Sequence, residues 1–107
     1  MLVCCDVLKK GVSFMVITLC GSARFRKEID EAQRYLTLQG HLIFTIENLG
    51  TIEITDEVES MLAVTHRKKI DLSDAIYVIN VNGYIGDSAS NEIRYAKSKG
   101  KEVIYLE

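Results

Sequence analysis

One segment of this 107-residue chain combines a carboxylate with a polar loop of the kind found in ligand sites. Residues 75–96, AIYVINVNGYIGDSASNEIRYA, predict an apolar strand, a glycine-bearing loop and a helix with Glu92 near its start. Backbone N–H groups and the positive end of the helix dipole meet at such a helix start. We therefore expect Glu92 to be ionised there and able to act as a carboxylate nucleophile.

The loop before that helix offers further polar groups. Gly86 lets the backbone approach a ligand closely, and Ser88 and Ser90 can form hydrogen bonds to it. Asp87 is a candidate acid that would protonate or position a leaving group. The alternative is structural, with Asp87 or Ser88 capping the helix and Glu92 complementing its dipole.

A second candidate site follows the first predicted strand. Gly21, Ser22 and Arg24 lie in the sequence CGSAR, a glycine turn that leads into a helix. Free N–H groups, a hydroxyl and a guanidinium together can bind a phosphate. The alternative is that Ser22 only caps the helix and Arg24 is solvated. The sequence contains neither a G-x-G-x-x-G dinucleotide fingerprint nor a Walker loop.

The elements that would position these loops alternate regularly along the chain. Apolar runs predict strands, and apolar residues at helical spacing predict helices between Ser22 and Gly40, from Thr55 to the basic run at 66–69, and from Ser88 to Gly100. The strands are predicted at 15–20, 41–46, 75–81 and 102–106. The inward face of the second helix is predicted to carry Val58, Met61, Leu62 and Thr65.

This alternation indicates a small doubly wound, Rossmann- or flavodoxin-like α/β domain in three layers. Its parallel sheet would have four or five strands and be covered on both faces, because nearly continuous apolar strands cannot face water. Ligands of such sheets bind beyond the carboxyl ends of the strands. Both candidate loops leave strands at that edge, so we expect them to lie close together.

Composition and charge indicate a single globular domain and exclude several partners. Apolar residues make up 48% and charged residues 26% of the chain. We expect residues 15–107 to form the α/β domain and residues 1–14 an N-terminal extension or arm, whose apolar run is too short to span a bilayer. The net charge of -2 gives no general attraction to nucleic acid or anionic lipid, so neither polymeric nucleic acid nor a membrane is expected as a partner.

The three cysteines fit a reducing cytoplasm. Cys4 and Cys5 are adjacent, an odd count cannot form a closed set of disulfides, and no spacing of metal ligands is recognisable. We predict a cytoplasmic protein with no metal site and no other cofactor.

Three segments together resemble one enzyme family. LCGSAR, IDLSDAIYVIN and GYIGDSASNEIRYAKSKGKEV, which span most of residues 15–106, are similar to the nucleoside 2-deoxyribosyltransferase-like family, which includes deoxynucleoside 5′-monophosphate N-glycosidases. The resemblance implies that Glu92 attacks C1′ of a deoxyribose and releases the base, with chemistry like that of a retaining glycosidase. Water would complete a hydrolysis, and a second nucleobase a transfer. In the monophosphate-specific branch, Gly21, Ser22 and Arg24 match the loop that contacts the 5′-phosphate.

The chain also departs from this family. Thr18 and Leu19 stand where family enzymes commonly have a tyrosine, and His66 stands near the position of a family aspartate. His66 could be an acid or base near neutral pH, but within its basic run we interpret it as a solvated side chain. A non-catalytic nucleotide-binding module of the same fold is therefore the main alternative to an enzyme.

Two further alternatives belong to other classes. Cys20 and Arg26 have the C-x5-R spacing of the cysteine phosphatases, although neither Ser nor Thr follows Arg26. The other is a purely structural role, since short α/β chains often pair. We expect a homodimer or higher homo-oligomer whichever function is correct. Tyr84, Tyr95 and Met61 are candidate interface or base-stacking residues, with ordinary packing as the simpler interpretation.

Overall fold

The computed structural model describes residues 14–107, in which strands and helices alternate. The strands are β1 (Val16–Gly21), β2 (Leu42–Phe44), β3 (Ala75–Ile79) and β4 (Glu102–Tyr105). The helices are α1 (Arg26–Leu38), α2 (Asp56–Asp71) and α3 (Asp87–Ser98), and short 3-10 turns follow β1 at Ala23–Phe25 and β3 at Val81–Gly83. The predicted extension at 1–14 lies outside the described residues except for Phe14.

The described strands form one parallel sheet in the order β2-β1-β3-β4. In the register of the central pair, Leu19 of β1 lies beside Tyr77 of β3. The prediction of a small doubly wound α/β domain is confirmed. The chain places β2 on one side of β1 and then β3 and β4 on the other side. The carboxyl ends of β1 and β3 therefore flank the crevice in which such sheets bind ligands.

Different helices cover the two faces of this sheet. On one face, Leu19 of β1 packs with Ile29 of α1. On the other, Cys20 of β1 packs with Ile70 of α2 and Ile93 of α3. Because successive side chains of a strand point to opposite faces, Cys20 is directed into the layer that contains α2 and α3. That layer brings side chains from three separate parts of the chain together.

Two of the predicted capping residues, Thr55 and Ser22, form capping hydrogen bonds, whereas the alternative in which Asp87 or Ser88 caps α3 is wrong, since Gly86 precedes that helix and no side chain caps it. The Thr55 hydroxyl accepts a hydrogen bond from the N–H of Val58 at 3.2 Å and so caps α2. The Ser22 hydroxyl accepts one from the N–H of Arg24 at 3.4 Å, which caps the 3-10 turn that precedes α1. Within residues 14–107, the structure has no helix with the length and apolarity needed to cross a membrane.

The buried face of α2 differs from the prediction. His66 and Ile70, one helical turn apart, are its buried residues, whereas Met61 and Thr65 are exposed. The other two predicted residues, Val58 and Leu62, are half-buried, and Leu62 borders a cavity. The face of α2 that packs on the sheet is therefore the one that carries His66 and Ile70, and Thr65 lies beside it.

Candidate functional site

A cavity of about 450 Å³ opens at the carboxyl edge of the sheet. Gly21 at the end of β1 and Glu92 of α3 both line it, together with His66 of α2 and the loop at residues 46–54 that follows β2. Its volume lies in the range of small-molecule sites, which is roughly 300–1,000 Å³. The structure thus brings Glu92 to the same hollow as the glycine turn after β1.

A second cavity, of about 340 Å³, adjoins the first and shares some of its wall. It lies between the turn after β1 and the start of α3, and no side chain caps that helix. The first N–H groups of α3 are therefore available to an anionic ligand at this end of the site. The candidate residues that meet here are Gly21, Ser22, Gly86, Asp87 and Ser88.

Two other candidate residues line neither cavity. The Arg24 guanidinium carbon lies 4.0 Å from the ring centroid of Tyr84, in a cation–π contact, and Tyr84 lines the second cavity. Arg24 therefore contacts a residue of the second cavity's wall but does not itself line the cavity. Ser90 is half-buried in the first turn of α3, where its N–H donates to the Gly86 carbonyl at 2.9 Å.

Glu92 lies in the second turn of α3, since the helix begins at Asp87. Burial raises the pKa of Glu92 to about 7, against the opposing effects of the nearby Cys20 thiol and of the charge of Arg67. The expectation that the helix start keeps Glu92 ionised is wrong, because the effect of the dipole falls off within the first turn and desolvation is larger. Glu92 instead titrates near neutral pH.

His66 is buried, which corrects the interpretation of a solvated side chain. Only 8% of the residue is exposed, and its Nε2 lies 3.5 Å from the Sγ of Cys20 and 3.6 Å from Oε1 of Glu92. Burial and the charge of Lys69 lower the pKa of His66 to about 4. The sequence signal was its spacing of four residues before the apolar Ile70, which places both on one face of α2.

His66 Nε2 and Glu92 Oε1 are close enough for an ion pair, but the two side chains do not carry opposite charges. His66 is half protonated at about pH 4, and Glu92 is half ionised at about pH 7. Desolvation disfavours the charged form of both groups, so both are largely neutral between these values.

The structure contradicts the phosphatase alternative. Cys20 is fully buried, and burial, followed by the nearby Glu92, raises the pKa of its thiol well above the usual value. A nucleophilic cysteine needs an exposed thiol of lowered pKa beside cationic groups. Arg26 supplies no such group, since its side chain donates to Asp30 and to the Ile46 carbonyl, each at 3.1 Å.

The loop that closes the first cavity was not among the candidate residues. Lys69 holds it to α2, donating to the Thr45 carbonyl at 2.9 Å and pairing with the Glu47 carboxylate. Apolar side chains of this loop then form the outer wall of the cavity: Ile46, Leu49, Ile52 and Ile54. Such a wall suits a flat, weakly polar group.

No family model, no curated protein and no solved structure matches the chain, so comparison with known proteins assigns it to no family. The arrangement itself combines a carboxylate that titrates near neutral pH, a cavity with an apolar wall and an adjoining helix start that favours an anion. Such a set of groups can bind a molecule with a flat end and an anionic end and attack an electrophilic carbon between them.

The burial of Glu92 predicts a loss of stability as the pH rises. The unfolded chain releases the Glu92 proton near pH 4.5, whereas the folded protein holds it to about pH 7. Stability from this group is therefore complete below about pH 4.5 and is lost as the pH passes through about 7. We expect a loss of about 3 kcal/mol. His66 acts oppositely, destabilising the fold as the pH falls from 6.5 toward about 4.

Urea unfolding of the parent protein and of Glu92→Gln measures the contribution of Glu92. The variant cannot ionise at this position, so its stability relative to the parent should rise by about 2 kcal/mol between about pH 5 and about pH 8. A stability difference that is the same at both pH values would contradict the raised pKa of Glu92. The comparison cancels the contribution of His66, which both proteins retain.

Proposed function

We propose that this protein cleaves the N-glycosidic bond of deoxynucleosides or of their 5′-monophosphates, as a hydrolase or as a 2-deoxyribosyltransferase, with Glu92 as the nucleophile. The observation that carries the proposal is the shared cavity of Glu92 and Gly21, with an adjoining cavity suited to an anion. The family resemblance of the sequence independently assigns the sugar to Glu92 and the phosphate to the turn after β1.

The two cavities suggest one orientation of the nucleotide. The 5′-phosphate would lie in the second cavity, bound by the first N–H groups of α3 and by Ser22. The deoxyribose would lie at the wall that both cavities share, near Ser88, and the base would lie in the first cavity against its apolar loop. This places C1′, the carbon between sugar and base, on the side of Glu92.

In the proposed reaction the ionised Glu92 carboxylate attacks C1′. A C–O ester bond forms as the N-glycosidic bond breaks, and its electron pair leaves with the base, which takes up a proton. Water then attacks C1′ of the glycosyl ester, which regenerates the Glu92 carboxylate and releases the sugar. With a second nucleobase in place of water, the same ester yields a new nucleoside. A pKa near 7 leaves a substantial ionised fraction of Glu92 at neutral pH.

Asp87 stands at the phosphate end in this orientation, because it lines the second cavity and not the first. Its carboxylate would repel a phosphate, and Asp87 does not line the cavity that would hold the leaving base. We therefore expect Asp87→Asn to lower KM for a deoxynucleoside monophosphate several-fold with kcat nearly unchanged. A fall in kcat of about a hundredfold or more would instead assign Asp87 the role of general acid.

The experiment that tests the proposal is an assay of free base. The full chain is incubated with each common deoxynucleoside and its 5′-monophosphate, and released base is separated and quantified. Release from at least one of them supports the enzyme. Chemical-shift changes with a monophosphate, recorded on the same protein, show whether Ser22 and Glu92 lie at the binding site.

A non-catalytic nucleotide-binding module is the second candidate. The observation that favours it is the position of Glu92, whose Oε1 lies 3.6 Å from Nε2 of the His66 ring, with the buried Cys20 thiol close by. Binding of a monophosphate at Ser22 without release of base from any substrate would support the module and contradict the enzyme.

We propose further that the protein acts in the cytoplasm on a small-molecule nucleoside or nucleotide, without a membrane or a polymeric nucleic acid as partner. We also propose a homodimer or higher homo-oligomer. Met61 and Val64 of α2 are 59% and 55% exposed, and a second copy would cover such apolar side chains. Light scattering coupled to gel filtration measures the oligomeric state.

A further inference from the structure

Three side chains of the α2 and α3 layer direct metal-ligating atoms toward one another. They are the Sγ of Cys20, the Nε2 of His66 and a carboxylate oxygen of Glu92, and all three atoms lie within 4.8 Å of one another. Each comes from a different element, β1, α2 or α3. A thiolate, an imidazole and a carboxylate are the donor types that Zn²⁺ takes in proteins.

The spacing of these atoms fits a tetrahedral ion. With Zn–S near 2.3 Å and Zn–N near 2.0 Å, a tetrahedral angle places sulfur and nitrogen about 3.5 Å apart, and nitrogen and oxygen about 3.3 Å apart. The observed separations are 3.5 Å between Cys20 Sγ and His66 Nε2 and 3.6 Å between His66 Nε2 and Glu92 Oε1. The third separation, between Cys20 Sγ and the Glu92 oxygen, is at most 4.8 Å, against about 3.5 Å in a tetrahedral site. An ion can therefore be bound once the Cys20 and Glu92 side chains approach each other by no more than about 1.3 Å.

Access to this cluster comes from the first cavity. His66 and Glu92 line that cavity, while Cys20 lies behind them and is fully buried. A bound ion would have three protein ligands and one position open to the cavity for water. A dication with one thiolate and one carboxylate is neutral overall, so binding also removes the cost of burying a single charge.

In place of the expectation from the sequence that there is no metal site, we propose that Cys20, His66 and Glu92 form a site for a thiophilic divalent cation of the Zn²⁺ type. Binding displaces the Sγ–H proton of Cys20, and that of Glu92 where it is protonated, to solvent, and the neutral His66 ring donates the lone pair of Nε2. The thiolate and imidazole disfavour Mg²⁺ and Ca²⁺, which require oxygen ligands.

This site has a consequence for the activity, and that consequence alone rests on the proposed function. An ion bound to the Glu92 carboxylate withdraws the electron pair that would attack C1′. We therefore expect Zn²⁺ to inhibit base release and a chelator to restore it. A chelator that abolishes base release would contradict this consequence, because it would make the ion an activator.

Cobalt(II) alone is the probe for the site, since thiolate-bound Co²⁺ shows an intense sulfur-to-metal charge-transfer absorption and needs no substrate. The full chain is titrated with Cys4→Ser and Cys5→Ser introduced, so that Cys20 is its remaining thiol. We expect saturation at one Co²⁺ per chain and displacement by Zn²⁺. Absence of a saturable charge-transfer band would overturn the site whether or not the protein releases base.

Single variants in the same background assign the ligands. Cys20→Ser should remove the charge-transfer band, and His66→Gln and Glu92→Gln should each weaken Co²⁺ binding at least about tenfold. His41→Gln, at the opposite edge of the sheet, is the matched control and should bind as the parent does. A band that survives Cys20→Ser, or an affinity unchanged by His66→Gln with the fold intact by circular dichroism, would contradict the assignment.

Discussion

Glu92→Gln is expected to lower the rate of base release by at least about a thousandfold while monophosphate binding is retained. Glutamine has nearly the shape of glutamate, but its amide cannot form the glycosyl ester. The variant also removes the charge that burial disfavours, so it should be at least as stable as the parent at neutral pH. A loss of turnover therefore cannot be attributed to unfolding.

Steady-state release of base, together with the calorimetric affinity for the same monophosphate, measures the two effects separately. The matched control is Glu57→Gln, which removes an exposed carboxylate from α2 and should leave both quantities unchanged. If Glu92→Gln retained more than about a tenth of the parent rate, Glu92 would not be the nucleophile.

Gly21→Ala is expected to lower the free energy of unfolding by about 2–4 kcal/mol. Gly21 ends β1 with φ at +152°, which a residue with a side chain rarely adopts. A Cβ atom at this position would lie 3.0 Å from Cβ of Ile79 and 3.1 Å from its carbonyl oxygen in the neighbouring strand β3. Neither atom can move without moving the central pair of strands.

Gly100→Ala is the matched control for this substitution. Gly100 also has a positive φ, of +72°, but a Cβ atom there meets nothing within 4 Å. Its substitution should lower the free energy of unfolding by only about 1 kcal/mol, because it strains the backbone conformation and causes no steric contact. Urea unfolding of both variants measures the difference, and equal losses would show that the contact with Ile79 contributes little. Because Gly21 lines both cavities, Gly21→Ala should in addition weaken monophosphate binding.

The fold could be predicted from the chain because its signals are local. The apolar run from Met15, the cap at Thr55 and the glycines at 40 and 100 each mark the start or end of an element without reference to the rest of the chain. Their order predicts a parallel sheet because only crossover connections join the strands. The predicted strand at 75–81 is shorter in the structure, since a 3-10 turn begins at Val81.

The candidate site could be predicted in part for the same reason. Strands of a parallel sheet end at one edge, so the turn after β1 and the loop after β3 had to be neighbours wherever the strands were adjacent. This places Gly21, Ser22, Gly86 and Ser88 around one cavity. The loop at 46–54 escaped prediction because its contribution to the wall depends on the tertiary contact that Lys69 makes with it.

What the sequence alone determined is thus the order of elements and the edge at which polar loops gather. Only the tertiary structure decided the electrostatics of the site. The pKa of Glu92 depends on how much water the surrounding elements exclude, and His66 meets Cys20 across 46 positions of the chain. Desolvation and contacts between distant residues are properties of the packed layers, and no local pattern of residues encodes them.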